Sequence, residues 1–281
     1  MAFLVSALLM FSHGEYLLIA KVSVVIDAGA RLILKKKVKS INTVKICWSG
    51  GKDSTCAVMQ HILRGDEAKV VCYIPMFNEK IPLISKQHYE FILRTSEYFE
   101  SLGGKVYFAK DGLNYSQYVT HIAKSGKCKG QIFGFPIVGR GMCGFKRDGK
   151  LRSLSLCNVG QYDYESIGIA YDEPKRHAQL NKDLRSILCE LRISEDDAVE
   201  FCKKNNLYSP HYSCIGKKKM RDGCALCYNA SQKEREAWFA DYPEAIPLVM
   251  ELQKIVREKR PDRPPLRGYR YFFEEEGEAD A

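Results

Sequence analysis

The sequence predicts an α/β protein with a parallel sheet flanked by helices. Three observations carry this reading. A short apolar run at 44–48 leads straight into a glycine loop and then into a helical pattern. Strand and helix patterns go on alternating through residue 109, the βαβ arrangement of a parallel sheet. The composition is globular: 281 residues, 46% hydrophobic and 27% charged, which excludes disordered and fibrous classes and allows a sizeable core.

Residues 1–11 are apolar apart from Ser6, and Ser12, His13 and Glu15 end the run. The run is too short to span a bilayer. No basic residue precedes it, and Ala20 followed by Lys21 is a poor cleavage site, so a strand or added segment is expected rather than a signal peptide. In 21–38, Val22, Val24 and Ile26 precede Gly29, and Leu32, Ile33 and Leu34 follow it. This predicts two strands around Asp27-Ala28-Gly29-Ala30, a β hairpin within an N-terminal extension, residues 1–42. Its basic end (Arg31, Lys35, Lys36, Lys37, Lys39) reads as a solvated edge.

The strand at 44–48 runs into Ser49-Gly50-Gly51-Lys52-Asp53-Ser54-Thr55, after which Cys56, Ala57, Val58, Ile62 and Leu63 recur at helical spacing. A strand, a glycine loop and a helix aim backbone N–H groups and a helix N-terminus at one spot, which favours a phosphate. Gly50 and Gly51 let the backbone approach an anion closely. Ser49, Ser54 and Thr55 supply hydroxyls, and Lys52 supplies charge. Asp53 suits a helix cap or a metal ligand. The spacing is neither GxxxxGK[ST] nor GxGxxG. Two glycines, a lysine and three hydroxyls still exceed what a plain strand–helix turn needs.

A strand at 69–75, a helix bearing Phe91, Ile92, Tyr98, Phe99 and Leu102, and a strand at 105–109 follow. Lys146, Arg147, Lys150 and Arg152 form a basic run, read either as a polyanion contact or as a solvated loop; 217–219 with Arg221 is a second. A strand at 167–171 puts Asp172, Glu173 and Arg176 where open α/β sheets bind ligands. An Arg fork there suits a phosphate or sulfate oxygen; the plainer reading is a surface ion pair among Glu173, Lys175 and Arg176. Residues 193–198 open a helix with a capping box. Helices are expected at 233–239 and 246–259, the second with Leu248, Val249, Leu252, Ile255 and Val256 as a core stripe or a homodimer contact. A basic stretch and an acidic tail, 274–281, expected to be disordered, close the chain.

The chain has eleven cysteines. An odd count without regular spacing argues against a secreted disulfide scaffold and for reduced thiols in the cytoplasm. Cys224-x-x-Cys227 has the spacing of a metal chelate or a redox pair. Cys47, Cys56, Cys72, Cys189 and Cys202 fall in strands or on apolar helix faces and read as small buried hydrophobes. Cys128 has no assigned role. Lys and Arg outnumber Asp and Glu 43 to 34, a net +9, and five of the acids lie in the last eight residues. The rest of the chain is therefore more basic than the total, which suits an anionic substrate or a nucleic acid acceptor, although no recognised nucleic-acid-binding motif is present.

The heptad 49–55 resembles the SGGxDS loop of the PP-loop ATP pyrophosphatases, the adenine nucleotide α-hydrolase superfamily. That resemblance implies a Rossmann-like sheet, ATP with Mg²⁺, and chemistry at the α-phosphate. The ordered blocks 130–136, 139–147, 164–176 and Gly223-Cys224-Ala225-Leu226-Cys227 are similar to those of the phosphoadenylyl-sulfate reductase family, over residues 43–245. The resemblance implies nucleotide contacts at 49–55, Asp172 and Glu173, and catalytic roles for Lys52, Asp53 and Arg176. It places Cys143 beside Cys224 and Cys227, as ligands of a [4Fe–4S] cluster or Zn²⁺. Gly144 breaks the Cys-Cys pair of the cluster-bearing members, so a fourth ligand comes from Cys214, Cys157 or, for zinc, His211. Reductases of the family use a cysteine near the C-terminus, and none follows Cys227. The expected function is therefore adenylation with pyrophosphate release, with sulfur passed from a donor protein to a nucleic acid or small acceptor. A sulfonucleotide reductase using an external thiol and a nucleotide-binding module without turnover are the alternatives. The expected organisation is an extension (1–42), a nucleotide domain (43–232), a helical segment (233–273) and the tail, with no membrane association.

Overall fold

The computed structural model describes residues 4–8, 21–25, 42–137, 143–180, 183–214, 223–264 and 266. The chain divides into two compact units, Met1–Lys39 and Ser40–Ala281.

In the first unit, β1 (Leu4–Leu8) pairs antiparallel with β2 (Lys21–Val25), Leu4 opposite Val25 and Leu8 opposite Lys21. A hairpin between residues 21–26 and 32–34 was the expectation. Of those residues, 21–25 pair with the N-terminal run. Residues 26–41 lie outside the described part.

The second unit is an α/β fold. Its elements are β3 (Thr43–Trp48), α1 (Lys52–Arg64), β4 (Glu67–Cys72), α2 (Lys86–Ser101), β5 (Lys105–Phe108), α3 (Tyr115–Thr120), a π turn (Lys146–Leu151), α4 (Arg152–Leu156), β6 (Tyr164–Ile167), α5 (Pro174–His177), β7 (Leu184–Arg185), α6 (Ile187–Leu191), α7 (Glu195–Lys204), α8 (His211–Cys214), α9 (Gln232–Asp241) and α10 (Ala245–Lys259). The five strands form an all-parallel sheet in the order β5-β4-β3-β6-β7, flanked by helices. Central parallel strands are covered on both faces and read as apolar runs. β3 obeys this at Val44, Ile46 and Trp48, all buried. Lys45 is the exception: it is buried, and its Nζ meets Glu165 of the neighbouring strand at 2.6 Å. Burial works most strongly against its charge, but the hydrogen bond and attraction of Glu165, with smaller help from Tyr162 and Cys47, together hold the ammonium above its ordinary range.

Strand ends differ from the sequence reading. The strand expected at 69–75 ends at Cys72, and that expected at 167–171 is instead β6, which stops before Gly168. The capping box at 193–198 is present: the Ser194 side chain accepts from Asp197 N, and Asp197 reaches back to Ser194 N.

Two cores fill the unit. One joins β3, β4, α1, α2, α6 and α7, with Trp48 edge-on to Phe99 at 5.0 Å. The other joins Phe77, Leu83, α3, Phe135, Leu226, α9 and α10, with the Trp238 indole donating to Pro82 O at 2.8 Å. The C-terminal helices thus share a core with the middle of the chain. On α10, Val249, Leu252 and Val256 face that core, while Leu248 is 42% exposed, so the expected stripe is one position narrower on that side. No helix among the described residues is long and apolar enough to cross a membrane.

Two histidines are buried within the first core's surroundings. His61 Nδ1 meets the Asp66 carboxylate at 2.7 Å and its Nε2 meets Ser166 Oγ at 2.8 Å, which ties the end of α1 to β6. His88 meets Ser209 Oγ at 2.8 Å. Burial lowers both, His88 to about 4. Their neutral forms stabilise the fold above the unfolded value near 6.5, and that stability is lost as pH falls toward the folded value. The urea-unfolding midpoint should therefore drop between pH 7 and pH 4, with His88 contributing roughly 3 kcal/mol of the loss. His88→Gln should show a shallower slope; an unchanged slope would contradict the neutral, buried ring.

Candidate functional site

The strand order reverses between β3 and β6: from β3 the chain steps to β4 and β5 on one side, and β6 and β7 lie on the other. Open α/β sheets bind ligands in the crevice at the carboxyl ends of the strands at such a reversal. The glycine loop leaves β3 there, and residues 168–173 leave β6 beside it.

Gly50 takes φ +78°, and a Cβ at that position would lie 2.7 Å from His88 Cε1 and 2.8 Å from Ile92 Cγ1. Only glycine satisfies both demands. Gly51 is extended and heads α1 without a side-chain cap. The first helical turn closes with Thr55 N donating to Gly51 O at 2.9 Å. The amides of Lys52, Asp53 and Ser54 therefore have no partner within the helix. His88 supports the loop from below through a hydrogen bond to the Ser49 backbone.

The three hydroxyls do not all face the crevice. Ser54 Oγ donates to Gly51 O at 3.0 Å and accepts from Ser49 N at 3.3 Å, so it holds the loop's shape. Thr55 is fully buried, and its Oγ1 accepts from the Trp48 indole at 2.9 Å. Its hydroxyl thus locks strand to helix. Ser49 is the half-buried hydroxyl at the mouth.

Charge gathers at the start of α1. Lys52 Nζ lies 2.9 Å from Asp53 and 3.0 Å from Glu195. Burial opposes the ammonium, but the hydrogen bonds to Asp53 and Glu195 outweigh it and hold Lys52 above its ordinary range. Burial raises the Asp53 carboxyl, with Lys52 pulling against it. Asp53 Oδ1 is buried and has no hydrogen-bond partner among the described residues. The carboxylates of Glu195 and Glu173 also act on Asp53. Two acids thus share one lysine, and Asp53 keeps one buried oxygen unsatisfied. Glu195 was not a sequence candidate. Its signal was only its place at the head of a capped helix, and its meeting with Lys52 is purely tertiary.

Asp172 Oδ1 accepts from Glu195 N at 3.0 Å and so caps α7. Glu173 binds Arg176 through both carboxylate oxygens, at 2.7 and 2.6 Å, on the single exposed turn of α5. Arg176 thus sits at the rim, engaged in the surface ion pair. Gly168 brings this segment to the loop: a Cβ there would stand 2.5 Å from both Cα and N of Ser54.

Cys143, Cys224 and Cys227 lie around Tyr115, each close enough to act on its phenol. Burial pushes the Cys224 thiol up to about 12, with Cys227 and Cys143 adding to the shift. Cys224 and Cys227 border a pocket of about 90 Å³ with Ser85, His211, Glu234 and Trp238. His211 Nδ1 bonds Ser85 Oγ at 2.9 Å, and its ring lies 5.6 Å from that of His88. Among the described residues no group of three or more His, Cys, Asp or Glu is arranged to hold a metal ion. The described cysteines therefore do not fit a cluster or zinc ion as they stand. The side chain of Cys214 lies outside the described part. Cys157 packs instead beside Val71, Ala109 and Val159. Of the expected core thiols, Cys56, Cys72 and Cys202 are buried, while Cys47 and Cys189 are half-buried.

No protein-family model matches the chain, and no curated protein matches it. Two substitutions test the site's construction. Gly168→Ala should push β6 off α1 and cost about 2–3 kcal/mol in urea unfolding; unaltered stability would contradict the backbone contact. Asp53→Asn, which removes a buried and under-partnered charge, should raise the Tm by about 2–4 °C. A lower Tm would show that the carboxylate is satisfied.

Proposed function

We propose that the chain binds ATP with Mg²⁺ in the β3–β6 crevice and adenylates an acceptor oxygen, releasing pyrophosphate. The observation that carries this reading is a glycine loop and helix N-terminus at the strand-order reversal, beside a buried Asp53 oxygen without a partner. The same placement supports an adenine nucleotide α-hydrolase-like fold. The amides of 52–54 and the Lys52 ammonium would bind and orient the phosphates, where fixed dipoles stabilise the charge that builds on phosphoryl oxygens. Asp53 and Glu195 would hold Mg²⁺, which supplies Lewis-acid charge neutralisation. The acceptor oxygen bonds to the α-phosphorus as the bond to the β-phosphate bridge breaks, and pyrophosphate leaves. The adenylated oxygen is then a leaving group open to a sulfur nucleophile, which makes sulfur transfer the finer form of the proposal.

A sulfonucleotide reductase using an external thiol is the second reading, favoured by the pocket at Cys224 and Cys227 that adjoins His88 through His211. Sulfite release from adenylyl sulfate would select it. The first reading expects Mg²⁺-dependent ATP binding by calorimetry, weakened at least about tenfold in Asp53→Ala, as loss of a charged ligand requires. It also expects pyrophosphate release that is lost in Ser49→Ala. A chain that binds no ATP with or without Mg²⁺ would sink it.

A further inference from the structure

Residues 121–134 carry Lys124, Lys127 and Lys129 and no acid. All three lysines are exposed. The segment is a braced knuckle rather than a slack loop. Ile122 bridges Ile132, Ala123 N donates to Gln131 O at 2.9 Å, and Gly130 N donates to Ala123 O at 2.9 Å. At the tip, Gly126 and Gly130 take φ +77° and +82°, and a Cβ on either would meet open space.

A second basic segment is fastened to it. Arg260 is only 2% exposed; its Nη1 donates to Ile132 O at 2.6 Å, and Asp262 balances its charge at 2.8 Å. Its Nη2 also reaches Cys128 Sγ in the knuckle, at 3.9 Å. This staple fastens the end of α10, whose last two turns expose Lys254, Arg257 and Lys259 together with Glu251 and Glu258, to the knuckle. Arg263 packs on Gly134. Farther along, the Phe133 ring lies tilted against Tyr118 with centroids 5.1 Å apart. Bringing like charges together on rigid backbone raises their mutual repulsion, and a bound polyanion relieves it. The knuckle tip, 125–130, carries no large apolar side chain to enter a bilayer.

We propose that this face, built from the 121–134 knuckle and the end of α10, binds the phosphate backbone of a nucleic acid. As a site for the acceptor of adenylation it rests on the function proposed above; as a binding surface it does not. The test uses the full chain and a fluorescein-labelled 20-nucleotide RNA hairpin, followed by anisotropy from 50 to 200 mM KCl without ATP. Binding should weaken steeply with salt. The triple variant Lys124→Ala, Lys127→Ala, Lys129→Ala should lose about 2–3 from the log–log salt slope and at least about tenfold in affinity at 50 mM. Lys204→Ala, on α7, should bind as the parent does, and Mg²⁺-dependent ATP binding should survive in the triple variant. RNA affinity unchanged in the triple variant, or no RNA binding, overturns the proposal. So does a preference for phosphatidylserine vesicles that the three lysines carry. ATP binding absent with RNA binding intact would sink only the nucleotide reading.

Discussion

The crevice depends on backbone meeting backbone where β6 ends. Gly168 lies so close to Ser54 that no side chain fits between them. That contact draws the segment after β6 onto the first turn of α1 and closes one wall of the site. Two buried polar links hold the same pair of strands and helix from elsewhere: Lys45 with Glu165 across β3 and β6, and His61 with Ser166 from α1 to β6. The second link completes a Ser166–His61–Asp66 chain of hydrogen bonds with the residue types of a hydrolytic triad. Ser166 is fully buried, so no substrate reaches it. Its hydroxyl satisfies an imidazole nitrogen that would otherwise be stranded in the core, which is a structural use of the same chemistry.

Within the crevice, side chains and backbone divide the work. Ser54 and Thr55 spend their hydroxyls on the loop and the strand behind it, so the loop holds its curvature without a ligand. What faces the crevice is then backbone N–H, the Lys52 ammonium and acids. Amides fixed in this way need little reorganisation when an anion arrives. Lys52 is already bound to Asp53 and Glu195, and Asp53 still lacks a partner for one oxygen. An anion alone would compete with those acids. In the function proposed, a cation accompanying the anion would satisfy Asp53 as well.

The features legible in the sequence are those set by near neighbours. The strand, loop and helix at 44–63 follow from an apolar run, two glycines and a helical period. The Ser194–Asp197 box follows from spacing three, and the Val249, Leu252 and Val256 face follows from the helical repeat. What was not legible depends on distant partners. Glu195 meets Lys52 only because α7 packs on α1. Thr55 turned inward because Trp48 needed an acceptor for its indole N–H. Gly168 ended a strand that apolar residues alone would have carried to Tyr171, since its task was a close approach rather than a turn. Arg176, by contrast, was legible as a surface pair: its carboxylate partner Glu173 stands one helical turn away, as the plainer sequence reading had it.

The two cores are not independent of the loop, and Ser85 shows why. Its side chain accepts from His88 N at 3.3 Å and so fixes where α2 begins. The start of α2 sets the height of the His88 ring, which presses on Gly50 and bonds the Ser49 backbone. The same Ser85 hydroxyl bonds His211, which forms one wall of the pocket beside Cys224 and Cys227. Gly50 therefore has two reasons to be glycine, one in its own φ and one in the helix beneath it. The second reason ties the glycine loop to the cysteine pocket through a single capping side chain, so the two share one positional reference even though their residues belong to different cores.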